Sequence, residues 1–375
     1  MPAQRRRHHR TRHAPEVNTQ EPARPTAGPA TYKGAGVDVA AGDEAVARIK
    51  RVVADTARPE VLGGIGGFGG LFAFDSDRYR HPVLVSSTDG VGTKAAVAAA
   101  TGRYDTLGID LVAMCVDDVV CTGAEPLFLL DYVSVGTLDP LQMEQLVGGI
   151  AEGCRTAGCA LLGGEMAEHG PTVPPGHVDL AGFAVGVVER EHMLNPDRVT
   201  AGDLLVGLAS PGLRSNGYSL ARQVLLERAG LALDGPAWPG AGGTLADELL
   251  LPSVIYAPAV LEVLRALPQH AVHAAAHVTG GGIPGNLGRV LPDGVDAVVE
   301  RSRWEEPRIF EEIRRRGDVA DDEMTAVFNL GIGMILVVSS DAATAVCDVL
   351  ARAGVPAVQA GRVVGGSGRV QLVAP

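Results

Sequence analysis

The feature that most constrains this chain is where its glycines fall. There are 49 among 375 residues, about twice ordinary usage, and they gather at the ends of apolar runs. Residues 82–87 (PVLVSS) lead into Asp89-Gly90-Val91-Gly92, residues 160–162 into Gly163-Gly164-Glu165, and His277-Val278-Thr279 into Gly280-Gly281-Gly282. A strand that stops on glycine delivers its last polar side chain onto a turn whose backbone can approach a ligand closely. Several such ends in one chain predict strands and helices in alternation, a mixed α/β (α+β) class with two domains. Aromatic residues make up only 4% of the chain, so the core is expected to be aliphatic.

The periodicities place the elements. Residues 45–54 read as a helix with Val46, Ile49 and Val53 on one face; 82–87 as a strand; a helix opens near Lys94; and 107–122 read as a buried helix rich in small residues. Strands are expected at 128–135, 160–162 and 180–188, with a helix at 140–157 between the first two. A change in composition at Asn195-Pro196 and Ala201-Gly202-Asp203 sets the expected boundary between an N-terminal unit, 31–198, and a C-terminal unit, 199–375. The second opens with a strand at 204–208 and a helix from about Ser219, and carries a late strand at 332–338. No G-x-G-x-x-G follows the first strand, which argues against a Rossmann fold.

The formal net charge is −12, which argues against general nucleic-acid binding. Residues 1–30 run the other way, with six arginines against two glutamates and no apolar series. They read as a disordered basic tail, not as a signal or membrane segment. The five cysteines have no C-x-x-C spacing, so neither a zinc site nor a disulfide framework is expected, and a reducing cytoplasm is the natural setting.

Six stretches carry the chemistry. Gly63, Gly64, Gly66, Gly67 and Gly69, with Gly70, form a loop able to turn its N–H groups onto an anion; read alone it is equally a linker. In Ser87-Thr88-Asp89-Gly90-Val91-Gly92-Thr93-Lys94, Asp89 suits Mg²⁺ when phosphates supply the remaining oxygens, or else simply caps a turn. Asp110, Asp117 and Asp118 lie on an otherwise apolar helix, where unpaired carboxylates are costly. Asp110 and Asp117, seven apart, share a face, so those two, with Asp89 and Glu165, are the expected metal ligands. Ser215-Asn216-Gly217 starts a helix, as an N-cap or as a phosphate cradle. Thr279, Gly280, Gly281 and Gly282 follow His277, a candidate acid–base or orienting group.

In order, GGIGGFGG, STDGVGTK, GIDLVAMCVDD, GAEPLFLLDY, LLGGE, DLAGFAVGVVE, SNGYSLAR, HVTGGG and FNLGIGM resemble the aminoimidazole ribonucleotide synthetases over residues 32–338. The resemblance implies a two-domain fold whose N-terminal domains build a β-barrel in a homodimer. It implies ATP-dependent closure of formylglycinamidine ribonucleotide to aminoimidazole ribonucleotide, with Mg²⁺, in the cytoplasm, and with no membrane or nucleic-acid partner. Lys50 matches a family lysine associated with the nucleotide. Asp89 matches the acid of STDGVGTK, Asp110 that of GIDLVAM and Glu165 that of GGE. Catalytic roles are expected of Asp89, Lys94 and His277; ATP contacts of Lys50, the 63–69 glycines, Thr88, Gly90, Gly92 and Thr93; substrate contacts of Arg214 to Gly217 and Thr279 to Gly282.

Three positions depart from the family pattern: Arg214 where a His precedes SNGYS, Met166 for the Thr of GGETAE, and Val327 for a Thr before Phe-Asn. Arg214 is expected to bind a phosphate through its guanidinium fork. The departures leave open a diverged paralogue acting on a related amide or nucleotide, or an inactive nucleotide-binding one.

Overall fold

The computed structural model describes residues 31–374 apart from Pro171 and Pro175; the basic tail, residues 1–30, lies outside the described residues. The first half runs α1 (Val39–Ala54), the two-residue strands β1 (Val61–Leu62) and β2 (Leu71–Phe72), β3 (Pro82–Gly90), α2 (Lys94–Thr101), α3 (Leu107–Val120), β4 (Glu125–Val135), α4 (Pro140–Ala157), β5 (Ala160–Glu168) and β6 (Val178–Glu189). The second runs β7 (Leu204–Ala209), α5 (Tyr218–Arg222), α6 (Leu245–Leu249), α7 (Ala257–Ala266), β8 (Val272–His277), α8 (Gly282–Leu287), β9 (Val295–Glu300), α9 (Arg308–Gly317), α10 (Asp321–Val327), β10 (Ile332–Val338), α11 (Ala343–Arg352), β11 (Ala357–Gly365) and β12 (Val370–Val373).

Each half is built on one sheet. The first has the order β3-β6-β4-β5, the second β12-β9-β11-β7-β10-β8. Only the pairs β4–β5 and β12–β9 are parallel. The β4–β5 pair needs a crossover, and α4 supplies it: Asp139 caps its start, Pro140 fits its first turn, and Gly158 ends it in a left-handed conformation.

The class is mixed α/β with two sheets, as expected. The first sheet is open and four-stranded, so no closed barrel forms within one chain. Its helix-free face leaves Leu84 65% exposed, Tyr132 42% and Phe183 41%.

α3 is apolar all round because it is covered all round. It packs on β3 and β6 of its own sheet, on α4, and on α7 of the second half. Gly108 and Gly149 let α3 and α4 meet almost backbone to backbone; a Cβ on Gly108 would sit 2.1 Å from the Ile150 nitrogen. β5 extends beyond the residues 160–162 expected for it. Its Gly-Gly-Glu stays in the ladder, with Gly164 paired to Asp131 and Glu165 to Tyr132. The helix expected from Ser219 stays α-helical only to Arg222, then widens into a π-helical stretch, Gln223–Arg228. No described helix is long and apolar enough to cross a membrane.

Candidate functional site

Three of the glycine-turn motifs converge where the two halves meet. β3 ends in Asp89-Gly90, and the turn that follows lies against the second half. A Cβ on Gly92, at φ 55°, would be 3.7 Å from the Ser215 carbonyl oxygen, and the Thr93 and Ser219 hydroxyls are 3.1 Å apart. Asn216 then reaches the third motif, its Oδ1 accepting from the Gly280 N–H at 3.0 Å. The triple glycine is braced from behind by Asn286, whose amide donates to the carbonyls of Thr279, Gly280 and Gly282. Gly282 has no alternative, since a Cβ there would meet the Thr325 carbonyl oxygen at 1.9 Å. The Gly217 Cβ position is likewise filled by the Phe328 ring. Gly92, Thr93, Ser215, Asn216, Gly217, Thr279, Gly280, Gly281 and Gly282 are thus gathered along one interdomain seam, while Thr88 and Gly90 lie just before it at the end of β3, facing Gly182 and Leu180 of β6.

The acids of α3 divide in a way the sequence did not reveal. Asp110 is fully buried against the equally buried Lys94 at 2.5 Å, and it accepts from the Ser253 N–H and hydroxyl. Lys94 also donates to the carbonyls of Arg214 and Leu251, and burial pulls its pKa down. Asp117 is fully buried too. Its Oδ1 takes the Tyr256 and Ala257 N–H groups that open α7, and its Oδ2 takes Arg214 at 2.9 Å.

The metal role expected of Asp110 and Asp117 and the catalytic role expected of Lys94 are therefore corrected. Their side chains are spent on pinning the halves together. Asp118, one residue and about 100° further round the helix, is the carboxylate left at the mouth. It accepts from Ser87 Oγ at 3.1 Å and faces His277 Nδ1 at 2.8 Å. Burial is the largest single influence and works against its charge, but His277, Ser87 and Arg289 together outweigh it and hold Asp118 below the usual carboxylate range. Burial pushes the half-buried Asp89 the other way, and the nearby Asp118 adds to the rise. The charges of Asp89 and Asp118 thus oppose each other, an arrangement a cation would relieve. Among the described residues no three His, Cys, Asp or Glu side chains stand close enough to hold a metal ion together.

His277 and Arg214 also change role. Arg214 Nη2 donates to His277 Nε2 at 3.0 Å, so the ring proton sits on Nδ1 and points at Asp118. His277 is an orienting group behind a carboxylate and has no free nitrogen for acid–base work. Arg214 donates further to the Val254 carbonyl and lies over the Tyr256 ring, 4.7 Å from its centroid. It is 2% exposed, so the phosphate-binding role expected of it is corrected. Arg214 also holds a left-handed backbone, φ 62°, which costs a residue with a Cβ about 1–2 kcal/mol. Arg214→Ala is expected to lose about 3–5 kcal/mol, because it strands the buried Asp117 carboxylate. Arg214→Gly should lose about 1 kcal/mol less, since glycine relieves the backbone. Urea unfolding of the two variants checks the order; an Ala variant as stable as wild type would refute the pairing.

The remaining predicted residues line a second region. The loop of Gly63, Gly64, Gly66, Gly67 and Gly69 joins β1 to β2. With α1, α4 and the start of β5 it encloses a cavity of about 500 Å³ that also borders Asp131, Glu165 and Met166. Lys50 lines an adjoining cavity of about 390 Å³ behind Gly63 and Gly64. Glu165 is here, not beside Asp89. The two regions share a row of the sheet: Asp89 pairs with Gly182, Gly182 with Asp131, and Asp131 with Gly164. Two strand spacings separate Asp89 from Asp131, about 10 Å. Of the three departures from the family pattern, Arg214 is internal and Val327 packs beside Gly217. Met166 alone borders a cavity.

The family models described as AIR synthase related protein, N-terminal domain, and AIR synthase related protein, C-terminal domain, match residues 77–188 and 200–373. The phosphoribosylformylglycinamidine cyclo-ligase of Anaeromyxobacter dehalogenans (strain 2CP-1 / ATCC BAA-258) is 56% identical over 309 residues, 82% of this chain and 88% of the relative. That of Myxococcus xanthus (strain DK1622) is 53% identical over 344 residues, 92% and 98% respectively. Among solved structures, thiamine-monophosphate kinase from Stenotrophomonas maltophilia K279a superposes with a TM-score of 0.65 at 22% identity, covering 88% of this chain and 95% of that one. E. coli HypE gives 0.62 at 17%, covering 90% and 94%; both share the fold. On its family models and close relatives, the chain belongs to the phosphoribosylformylglycinamidine cyclo-ligase (AIR synthase related) family.

Proposed function

We propose that this protein closes the imidazole ring of aminoimidazole ribonucleotide, using ATP and formylglycinamidine ribonucleotide and releasing ADP and phosphate. The observation that carries the reading is the seam at which the Asp89-Gly90, Ser215-Asn216-Gly217 and Thr279–Gly282 turns meet beside Asp89 and Asp118. An amide oxygen is a poor leaving group. Transfer of the γ-phosphoryl to that oxygen makes it a good one; an internal nitrogen then attacks the same carbon, the C–O bond breaks, phosphate departs, and the nitrogen loses its proton. Such chemistry asks for positioning and charge neutralisation more than for a protein nucleophile. Asp89 and Asp118 would hold Mg²⁺, which supplies neutralisation of phosphate charge and needs few protein carboxylates. Ser87 and His277 fix Asp118 in place. The glycine turns offer backbone N–H groups to phosphate oxygens, and Lys50 stands at the nucleotide end.

The test is turnover of formylglycinamidine ribonucleotide with ATP and Mg²⁺, read as aminoimidazole ribonucleotide. Absence of that product, with ATP still split on another amide, would favour the diverged paralogue; Met166 is the departure placed to cause it.

The exposed Leu84, Tyr132 and Phe183 face suits pairing with a second copy, the two open sheets together building a barrel. Leu84→Glu is expected to convert a sedimenting dimer to monomer. A wild type that sediments as a monomer would remove the barrel. The reading carries a cytoplasmic setting with it.

A further inference from the structure

We infer that Asp131 is the residue that reads the purine base of the nucleotide, accepting a hydrogen bond from the 6-amino group of adenine at the floor of the cavity under the glycine loop. This rests on the ATP-consuming reading above.

The cavity has the walls of a base pocket. Val46, Ile49, Ile65, Val147, Leu161 and Met166 give it apolar sides, and about 500 Å³ suits a flat heterocycle in the ordinary size range of ligand sites. No Lys or Arg lines it, so it is not where the phosphates lie. Two carboxyl groups border it, Glu165, which is exposed, and Asp131 on the β4 floor. Asp131 follows Leu129 and precedes Val133 on the helix-facing side of β4, both fully buried, so a side chain at 131 is expected to be apolar.

No hydrogen bond from another residue reaches the Asp131 carboxyl among the described residues, whereas Asp110, Asp117 and Asp118 of α3 all have partners. Its place is nonetheless built. Asp131 Oδ1 lies 1.4 Å from where a Cβ of residue 164 would be, so only glycine at 164 leaves it room. Burial holds the group up at about 7. Near neutrality it can therefore accept from the amino group and also donate to the adjacent ring nitrogen. The row through Gly182 sets Asp131 about 10 Å from Asp89, placing base and phosphates at opposite ends of one nucleotide.

The test uses the full chain and direct binding by calorimetry. The probes are ATP and the triphosphate of unsubstituted purine riboside, which lacks only the 6-amino group. Wild type is expected to prefer ATP by about tenfold or more, the worth of one such hydrogen bond in a desolvated site. Asp131→Asn keeps an acceptor and a donor and should keep the preference. Asp131→Leu should bind both probes alike while melting no lower than wild type, because it replaces an unpaired buried carboxyl with an apolar group. Gly164→Ala, which displaces the carboxyl without changing it, should behave like Asp131→Leu.

A wild type indifferent to the 6-amino group, or an Asp131→Leu variant that folds and still prefers ATP, overturns the assignment. Selectivity that Asp131→Leu erases supports it even where no ring closure is measured, so this inference and the proposed reaction fail separately.

Discussion

Asp89→Asn is expected to lower ATP-dependent turnover by about 10²–10³-fold, the scale seen when one group that stabilises transition-state charge is removed, with the melting temperature unchanged or raised. Among the described residues Asp89 has no ion-pair partner, and its carboxylate accepts only the neighbouring Gly90 N–H, at 2.7 Å. Nothing structural hangs on its charge, and burial already pushes its pKa up. Burial thus disfavours the charged form of a side chain that the packing does not use, the pattern expected of a functional group. Paired measurements of turnover and thermal melting decide the matter. A folded Asp89→Asn enzyme with wild-type turnover would remove Asp89 from the reaction.

The opposite signature is expected at Asp110, where Asp110→Ala should lose about 3–5 kcal/mol of stability. The Lys94 ammonium, 2.5 Å away and wholly buried, would keep only carbonyl acceptors. The Ser253 N–H and hydroxyl would lose theirs. Lys94→Met in the same chain should recover part of the loss, since an apolar side chain of similar length needs no counter-ion. Denaturant titration of the two single variants and the double variant completes the cycle. Equal stability of Asp110→Ala and wild type would mean that the pair does not bind the halves.

The contrast between these two aspartates shows what the sequence could and could not reveal. Regular elements were legible wherever a run met an unambiguous stop. α4 carries Asp-Pro at one end and Gly at the other, and β10 is seven apolar residues in a row. β5 was read short because Gly163-Gly164 looks like a turn; in the sheet those glycines make room for Asp131 instead. On α3 the sequence showed surplus carboxylates on an apolar helix, which is the right alarm. It could not say which were neutralised, because the partners Lys94, Arg214, Ser253 and Tyr256 come from elsewhere in the chain. Helical spacing favoured Asp117 over Asp118, and the tertiary contacts reversed that choice. Asp131 sat inside the quoted LFLLDY segment unnoticed. Its signal was a carboxylate at an inward strand position, and only the face assignment of β4 brings it out.

The seam between the halves bears on motion as well as on binding. Lys94 to Asp110, Asp110 to Ser253, Arg214 to Asp117, Asp117 to the start of α7, and His277 to Asp118 all cross or brace it. Two lobes joined this way are not free to swing apart about a linker. Opening them would separate buried charges, so the amides of α3 and α7 should exchange with solvent only on global unfolding, and the chain should melt in one transition despite its two sheets. If nucleotide binds as proposed, its entry and release are expected to depend on something softer than the lobes. The segment between β1 and β2 answers that description: four of its glycines, Gly63, Gly64, Gly66 and Gly69, have nothing within 4 Å of where a Cβ would be, so little packs against that side of the loop.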